Sequence, residues 1–431
     1  MTNFPIDHFR RRSRSRDRWT IAVNATDRWI GNSIACGLLR WEDENRLLQR
    51  RRGRRDGREE DWEVRALTSN PESHHVRELK REGARVCETN YKDRSSLRDA
   101  LRGVDWLVHV VESRRERVRD AEELAVAARE QGVRGVIVLS LRGADEKLTR
   151  THREYHEIEK LWQKEVRNAV VLRVEFITQG FFLWSDNIQE ESALNMTLDE
   201  ERDRFVPIDL DDIVRAIEDI AWDREGYELD ELESKHRHQV YNLTGRDSVS
   251  PGDIIDIIND NIRGEIYYER VNRNELRDYI RSLDGEGDDR YRRREFVDIE
   301  KRRRGEKRGR EYDLRSFLPF NEIETEKVLD ILLYIKEGRE PDRVSDDFRR
   351  ITGEEPRSID EFFRENADEF TPGGRGAHRR RGRRGESRER RRESRERRRE
   401  SRERRGRRGR RYDLVNKAHN RFQQSRFFAH L

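Results

Sequence analysis

Between Trp19 and Val174 the chain repeats one pattern: a short β-rich apolar run, a turn, then a stretch whose apolar residues recur at helical spacing. Strand-like runs fall at Thr20 to Val23, Glu63 to Leu67, Ala84 to Glu88, Trp106 to Val111, Val136 to Leu139 and Ala169 to Val174. Strands separated by helices of this length cannot pair as hairpins. They enter one parallel sheet covered on both faces, a doubly wound α/β arrangement of six strands.

Composition decides what lies outside that sheet. Of 431 residues, 32% are hydrophobic and 43% are Asp, Glu, Lys or Arg, too few apolar groups for the whole chain to pack. Two charged segments, Arg46 to Trp62 and Asp284 to Arg315, read as insertions at connections that are normally short. Beyond the second, Val328, Ile331, Leu332 and Ile335 keep helical spacing, and Ser358 with Glu361 forms a capping-box start. The expected division is a basic arm over 1–18, a Rossmann-candidate domain over 19–183 with its insertion at 46–61, a segment over 184–370 in which the fold resumes after an insertion at 284–315, and a low-complexity basic tail over 371–431.

The net charge of +4 hides an asymmetry: residues 375–411 carry 21 Arg against 6 Glu, an excess of +15 that leaves −11 for the rest. ESRERRR recurs there with no apolar member, which excludes a coiled coil and leaves a polycation expected to hold nucleic acid or another polyanion on charge alone. Cys36 and Cys87 can build neither a disulfide framework nor a CxxC zinc site. The pairs His74, His75 and His236, His238 have no evident ligand partners and read as surface histidines, so no metal is expected. No apolar run approaches membrane-spanning length, and the N-terminus lacks an apolar signal core, so an intracellular protein of cytoplasm or nucleus, with no membrane role, is expected.

The segment IAVNATDRWIG, Ile21 to Gly31, followed by NSIACGLL, has the strand, tight turn and helix layout that presents backbone N–H groups to a pyrophosphate. The short-chain dehydrogenase superfamily writes this turn GxxGxxG. Laid on Gly31, that pattern puts Ala25 and Arg28 at its first two glycines. A Cβ at the first disfavours positive φ, and a side chain at the second holds backbone away from phosphate, so affinity for a dinucleotide is expected to be weak or vestigial, with Arg28 compensating in part.

Longer motifs carry a specific resemblance. WEVRALTSNPESHHVRELKREGARVCETNYKDRSSLRDALRGVDWLVHV at Trp62 to Val110, AEELAVAAREQGVRGVIVLS at Ala121 to Ser140, FVPIDLDDIVRAI at Phe205 to Ile217, VYNLTGRDSVSPGDIIDII at Val240 to Ile258 and ITGEEPRSIDEFFRENADEF at Ile351 to Phe370 follow one another in order. The chain resembles the NmrA-like family, atypical short-chain dehydrogenase relatives named for a nitrogen-metabolite transcriptional regulator. The resemblance spans about Trp19 to Phe370 without the insertions. It implies an NAD(P)-binding Rossmann fold with a small C-terminal lobe, NAD(P) in many members, and a regulator as often as an enzyme.

On that resemblance the cofactor-binding positions are Asn24, Ala25, Thr26, Arg28, Trp29, Ile30 and Gly31, with Ser69 where the family has an Arg for a 2′-phosphate and Asn90 where it has an adenine-side Asp. No acid stands at the end of the second strand to take a ribose hydroxyl, and Arg65 and Arg77 are the cations near enough in sequence to supply charge. Hydride transfer in this superfamily needs a Tyr acidified by a Lys four residues later and an orienting Ser. Ser140 and Tyr155 are the catalytic candidates, yet Glu159 stands where that Lys should be, a carboxylate beside a phenol raises its pKa, and Tyr155 itself occupies the family's nicotinamide-side Lys position. Three functions remain open: a non-catalytic regulator acting through a protein partner, an NAD(P)H-dependent oxidoreductase, and an RNA-associated protein using the Arg-rich tail.

Overall fold

The alternation forms as expected. In the computed structural model, which describes residues 18–51, 61–221, 236–283, 314–338 and 344–373, six strands lie parallel: β1 (Arg18–Val23), β2 (Asp61–Thr68), β3 (Arg85–Glu88), β4 (Trp106–Val110), β5 (Gly135–Leu141) and β6 (Asn168–Val174). The basic arm through residue 17 and the tail from residue 374 lie outside the described residues. A short pair, β7 (Ala193–Met196) and β9 (Tyr267–Arg270), stands apart. A seventh strand, β8 (Val240–Leu243), pairs with β6 and comes from the segment assigned by sequence to the lobe. Four residues with an exposed Val240 give little periodic signal, but Tyr241 and Leu243 point into the same core as Val170 and Leu172. The order is β3-β2-β1-β4-β5-β6-β8, so chain direction across the sheet reverses between β1 and β4.

Side chains alternate by strand pleat between two helix layers. Ile21, Val23, Val108 and Ile137 pack with α7 (Leu210–Ala221) under α1 (Trp29–Arg51). Ala22, Leu107, Val136 and Val171 pack under α3 (Arg94–Leu101), α4 (Arg117–Gln131) and α5 (Arg150–Glu165). Between β2 and β3 lies α2 (His74–Arg81). The insertion expected at 46–61 is shorter than sequence implies, because α1 runs on to Arg51 and Asp61 opens β2, leaving 52–60 outside the described residues.

The lobe assembles α6 (Ser185–Glu191), α8 (Pro251–Asn261), α9 (Arg273–Ser282), α10 (Glu322–Lys336) and α12 (Ile359–Glu365) around Phe181, Trp184, Phe205, Phe363 and Phe370. Each such aromatic, fully buried, contributes roughly 1.5–3 kcal/mol. The capping box at Ser358 and Glu361 forms, and the same device opens α8, α9 and α10. A short α11 (Asp347–Thr352) returns to the Rossmann core through Phe348. Of the second insertion, residues 284–313 lie outside the described residues, while Leu314–Phe317 is a 3₁₀ turn with Leu314 buried in the lobe.

Among the described residues, one buried imidazole has neither ring nitrogen hydrogen-bonded. His109, on β4, is 2% exposed, neither ring nitrogen makes a hydrogen bond, and its ring centroid lies 5.0 Å from that of Trp162. Burial pushes its pKa down to about 3, so the folded state keeps the imidazole neutral. The unfolded chain takes up the proton near pH 6.5, and the folded chain does not. His109 therefore adds stability above that pH which is lost as pH falls toward about 3. His109→Leu is expected to remove about 2 kcal/mol of stability loss between pH 6.5 and roughly pH 5, read as a flatter pH dependence of the denaturant midpoint.

Candidate functional site

The turn after β1 is built before any ligand arrives. Asn24 spends its side chain on β4: Nδ2 donates to the Val110 carbonyl at 3.0 Å, and Oδ1 accepts from the Val110 N–H at 2.8 Å. Thr26 ties the turn to β2, its N–H and Oγ1 both donating to the Leu67 carbonyl, at 3.2 and 3.0 Å. Ala25 sits at φ 55°, the left-handed region that favours glycine, which bears out the position's demand and shows that this chain meets it with a Cβ. Gly31 has no room for one. A Cβ there would lie 2.4 Å from the Ala25 carbonyl oxygen and 2.5 Å from that of Asn24, so the surviving glycine is the one that lets the helix press on the strand exit.

Above the reversal point a cleft of about 110 Å³ opens at the carboxyl ends of β1, β4, β5 and β6. Ala25, Val110, Leu139, Val174 and Phe176 form its floor and walls. Glu324, Lys327, Val328 and Ile331 of α10 roof it. The roof is fastened: Asn321 Nδ2 donates to the Ser113 carbonyl at 3.0 Å, Thr151 Oγ1 donates to Asp330 at 2.6 Å, and the Tyr334 hydroxyl donates to Glu146 at 2.8 Å. Trp29 and Ile30 line the cleft at the start of α1, and Arg28 faces Glu324 with 3.8 Å between nitrogen and oxygen. Sequence periodicity found α10 without distinguishing which of its apolar positions face the cleft. Leu332 and Ile335 are buried in the core, whereas Val328 and Ile331, half-buried against that core, also line the cleft. Two apolar faces on one helix were the available signal.

The catalytic candidates meet something other than a proton relay. Ser140 Oγ donates to Glu159 Oε1 at 2.6 Å. Arg173 closes on the same carboxylate with both arms, Nε to Oε1 at 2.8 Å and Nη2 to Oε2 at 2.7 Å, and its Nη1 reaches Asp145 at 2.8 Å. Glu159 is therefore turned into this buried network, and the expectation that it sits beside the Tyr155 phenol is corrected. Tyr155 lines the cleft with the Arg117 guanidinium 5.5 Å from its ring centroid. Lys327 lines the same cleft from α10.

At the adenine side the sequence expectations need two corrections. An acid does stand at the end of β2, brought by the turn after β1: Ser69 Oγ donates to Asp27 Oδ2 at 3.2 Å, while Asp27 Oδ1 is buried and accepts no hydrogen bond from the described residues. Arg65 supplies no charge here, because it is 4% exposed, paired to Glu63 at 2.7 Å and bonded to the carbonyls of Ala100 and Arg102 at 2.9 Å each. Arg77 is exposed on α2, and Asn90 Oδ1 closes a local turn on the Lys92 N–H at 3.0 Å. The histidines also differ. His236 is buried and bonded to the Tyr241 hydroxyl at 2.9 Å, and His74 has a carboxylate, Glu78, 3.9 Å away.

Sequence reasoning missed Glu112 and Tyr91. The Tyr91 hydroxyl, 3.2 Å from Asn24 Nδ2, donates to Glu112 Oε1 at 2.9 Å behind the reversal point. Burial and the charge of Asp27 push the Glu112 carboxyl up to about 7.

The NmrA-like family model matches residues 55–281, more than half of the sequence, beginning past the Asn24–Gly31 turn. The chain belongs to the NmrA-like family. No curated protein matches it in sequence. Among solved structures it is similar to the triphenylmethane reductase of Citrobacter sp., at 15% identity over 81% of this chain and 100% of that one, with a TM-score of 0.55. The NADPH-dependent quinone oxidoreductase of Escherichia coli, complexed with NADPH, gives 15% identity over 80% and 99%, with a TM-score of 0.55. The negative transcriptional regulator NmrA, in complex with NADP, gives 12% over 81% and 95%, with a TM-score of 0.52. Reductases and a regulator are thus both found among the solved structures with this fold.

Two substitutions test the turn of this NmrA-like chain. Ala25→Gly relieves the left-handed residue and is expected to raise stability by about 1 kcal/mol, whereas Gly31→Ala should lower it by about 1–3 kcal/mol, both read from denaturant midpoints.

Proposed function

We propose that this NmrA-like chain is a non-catalytic regulator: a degenerate dinucleotide-binding fold that acts through a protein partner. One observation carries the reading. The residue four after Tyr155 is a carboxylate held by Arg173, and it accepts the hydrogen bond of the Ser140 hydroxyl, so the position that would acidify the Tyr and the Ser that would orient a substrate carbonyl are spent on each other. A nicotinamide, when bound, supplies hydride to a carbonyl or quinone; the residues of this chain supply no matching proton path at Glu159.

The turn fits one kind of dinucleotide better than another. Asp27, with an orphaned buried oxygen beside Ser69, suits a ribose hydroxyl as donor and repels a 2′-phosphate. NAD(H), weakly held, is therefore the proposed ligand. Carboxylates of Asp27 and Glu112 and the Cβ at Ala25 all act against tight pyrophosphate binding.

Calorimetric titration of NADH and NADPH tests this. NADH should bind weakly yet more tightly than NADPH; Asp27→Asn with Ser69→Arg should reverse that order, and Ala25→Gly with Arg28→Gly should tighten both. A tightly held cofactor in the unmodified protein overturns the proposal.

The oxidoreductase alternative is favoured by a single feature, Lys327 lining the cleft with Tyr155. NADH or NADPH oxidation on a quinone and aldehyde panel is expected to be absent. Turnover lost in both Tyr155→Phe and Lys327→Met would replace the regulator reading with the enzyme one.

For the tail we propose electrostatic, sequence-tolerant contact with nucleic acid or an acidic partner through residues 375–411, adjustable by phosphorylation of Ser387, Ser394 and Ser401, which would remove roughly 4.5 to 6 charges from the excess. Binding of a mixed-sequence RNA should weaken steeply with salt and be lost on truncation at Phe370. Equal binding by both forms, or affinity insensitive to salt, rules the tail out.

A further inference from the structure

The first turn of α2 gathers chemistry that the nucleotide reading does not use. His74, His75 and Glu78 each offer a ligand atom, and these atoms lie within 4.8 Å of one another. We infer that this cluster is a divalent transition-metal site, two imidazoles and one carboxylate, open to solvent at its remaining position.

Helix geometry produces the convergence. Glu78 is four residues from His74 and three from His75, the two spacings that share a helix face, so one carboxylate reaches both rings. Ser73 accepts from the Val76 N–H and so fixes where the helix begins. The rings are arranged, not merely close: His75 stacks on Phe317 with 3.9 Å between centroids and 23° between planes, and His74 meets His75 edge-on at 5.7 Å and 88°. Packing on Phe317 fixes the plane of one ligand, as the neighbours of a metal-binding imidazole do. The side chains of His74 and Glu78 are 43% and 25% exposed, so an ion reaches them from solvent. Donors around a tetrahedral ion with bonds of about 2.0–2.1 Å stand roughly 3.4 Å apart, so the closing movement is of the order of 1 Å.

The donor set selects the ion. Two imidazole nitrogens and one carboxylate suit Zn²⁺, Cu²⁺, Ni²⁺ or Co²⁺, whereas Mg²⁺ and Ca²⁺ prefer oxygen throughout. Three protein ligands leave a coordination position for water or an incoming group. A helix N-terminus carries positive partial charge and opposes the cation, so affinity should be micromolar rather than that of a closed structural site.

Zn²⁺ alone, titrated calorimetrically into the full chain, is the test, with Co²⁺ visible absorption as a second readout that reports tetrahedral nitrogen and oxygen ligation. One equivalent of Zn²⁺ should bind, and Mg²⁺ and Ca²⁺ should give no saturable heat. His74→Ala and Glu78→Gln, on half-exposed side chains, should each weaken Zn²⁺ by at least about tenfold and abolish the Co²⁺ band while leaving metal-free melting unchanged. His75→Ala should do the same but also loosens the Phe317 contact, so it is the secondary variant. Unaltered Zn²⁺ affinity in His74→Ala and Glu78→Gln would place the metal on other histidines and overturn the inference, as would the absence of binding below millimolar Zn²⁺.

Discussion

The close approach of Gly31 to the carbonyls of Asn24 and Ala25 governs the site. With α1 pressed that tightly on the exit of β1, the turn has one path, which puts Ala25 in the left-handed region and sends the Asn24 side chain across to β4. Thr26 then has its backbone and side chain committed to Leu67. The shape of a dinucleotide loop persists because the sheet needs it. What the loop presents has changed, since Arg28 and a Cβ at Ala25 stand where the superfamily leaves open space.

Charge is handled in this chain by pairing inside the fold. Arg173 with Glu159, Arg65 with Glu63 and Arg117 with Glu154 are buried ion pairs, each an expensive arrangement if either partner is lost. The first of these bears on function. A Lys at 159 would set an ammonium against the Arg173 guanidinium in a desolvated place, so the position does not tolerate a Lys by itself. Glu159 is thus part of the core and not only of the cleft surface.

Local signals made most of the fold legible in the sequence. β1 to β6 announce themselves by apolar runs between helical stretches, and the Ser358 capping box lies where the motif predicts. β8 escaped because four residues with one exposed apolar side chain carry no period, and α1 outran its apolar pattern into Arg-rich sequence. At the site, Gly31, Ala25 and Ser140 could be placed by spacing within one motif. Asp27 beside Ser69, Glu112 under Tyr91 and the α10 roof join residues separated by 42, 21 and more than 100 positions, and no local pattern encodes such meetings. The same limit applied to His75, which stacks on Phe317 on the far side of an insertion.

The electrostatics of the reversal point follow from that long-range assembly. Glu112 is held behind the turn by Tyr91, its carboxyl pushed up to about 7 by burial and by the charge on Asp27. A folded carboxyl titrating above its ordinary 4.5 is a neutral-form preference, so it stabilises the fold below pH 4.5 and that contribution is lost as pH rises through about 7. Arg114 and Arg28 oppose the shift, and Arg28 also faces Glu324 on the roof. One guanidinium thus answers to acids on both sides of the cleft. A dinucleotide pyrophosphate brings two more negative charges to the same place, so its binding must draw Arg28 from Glu324 or act against an ionised Glu112. Either way the roof helix and the loop are coupled through a side chain that the superfamily pattern would have made a glycine.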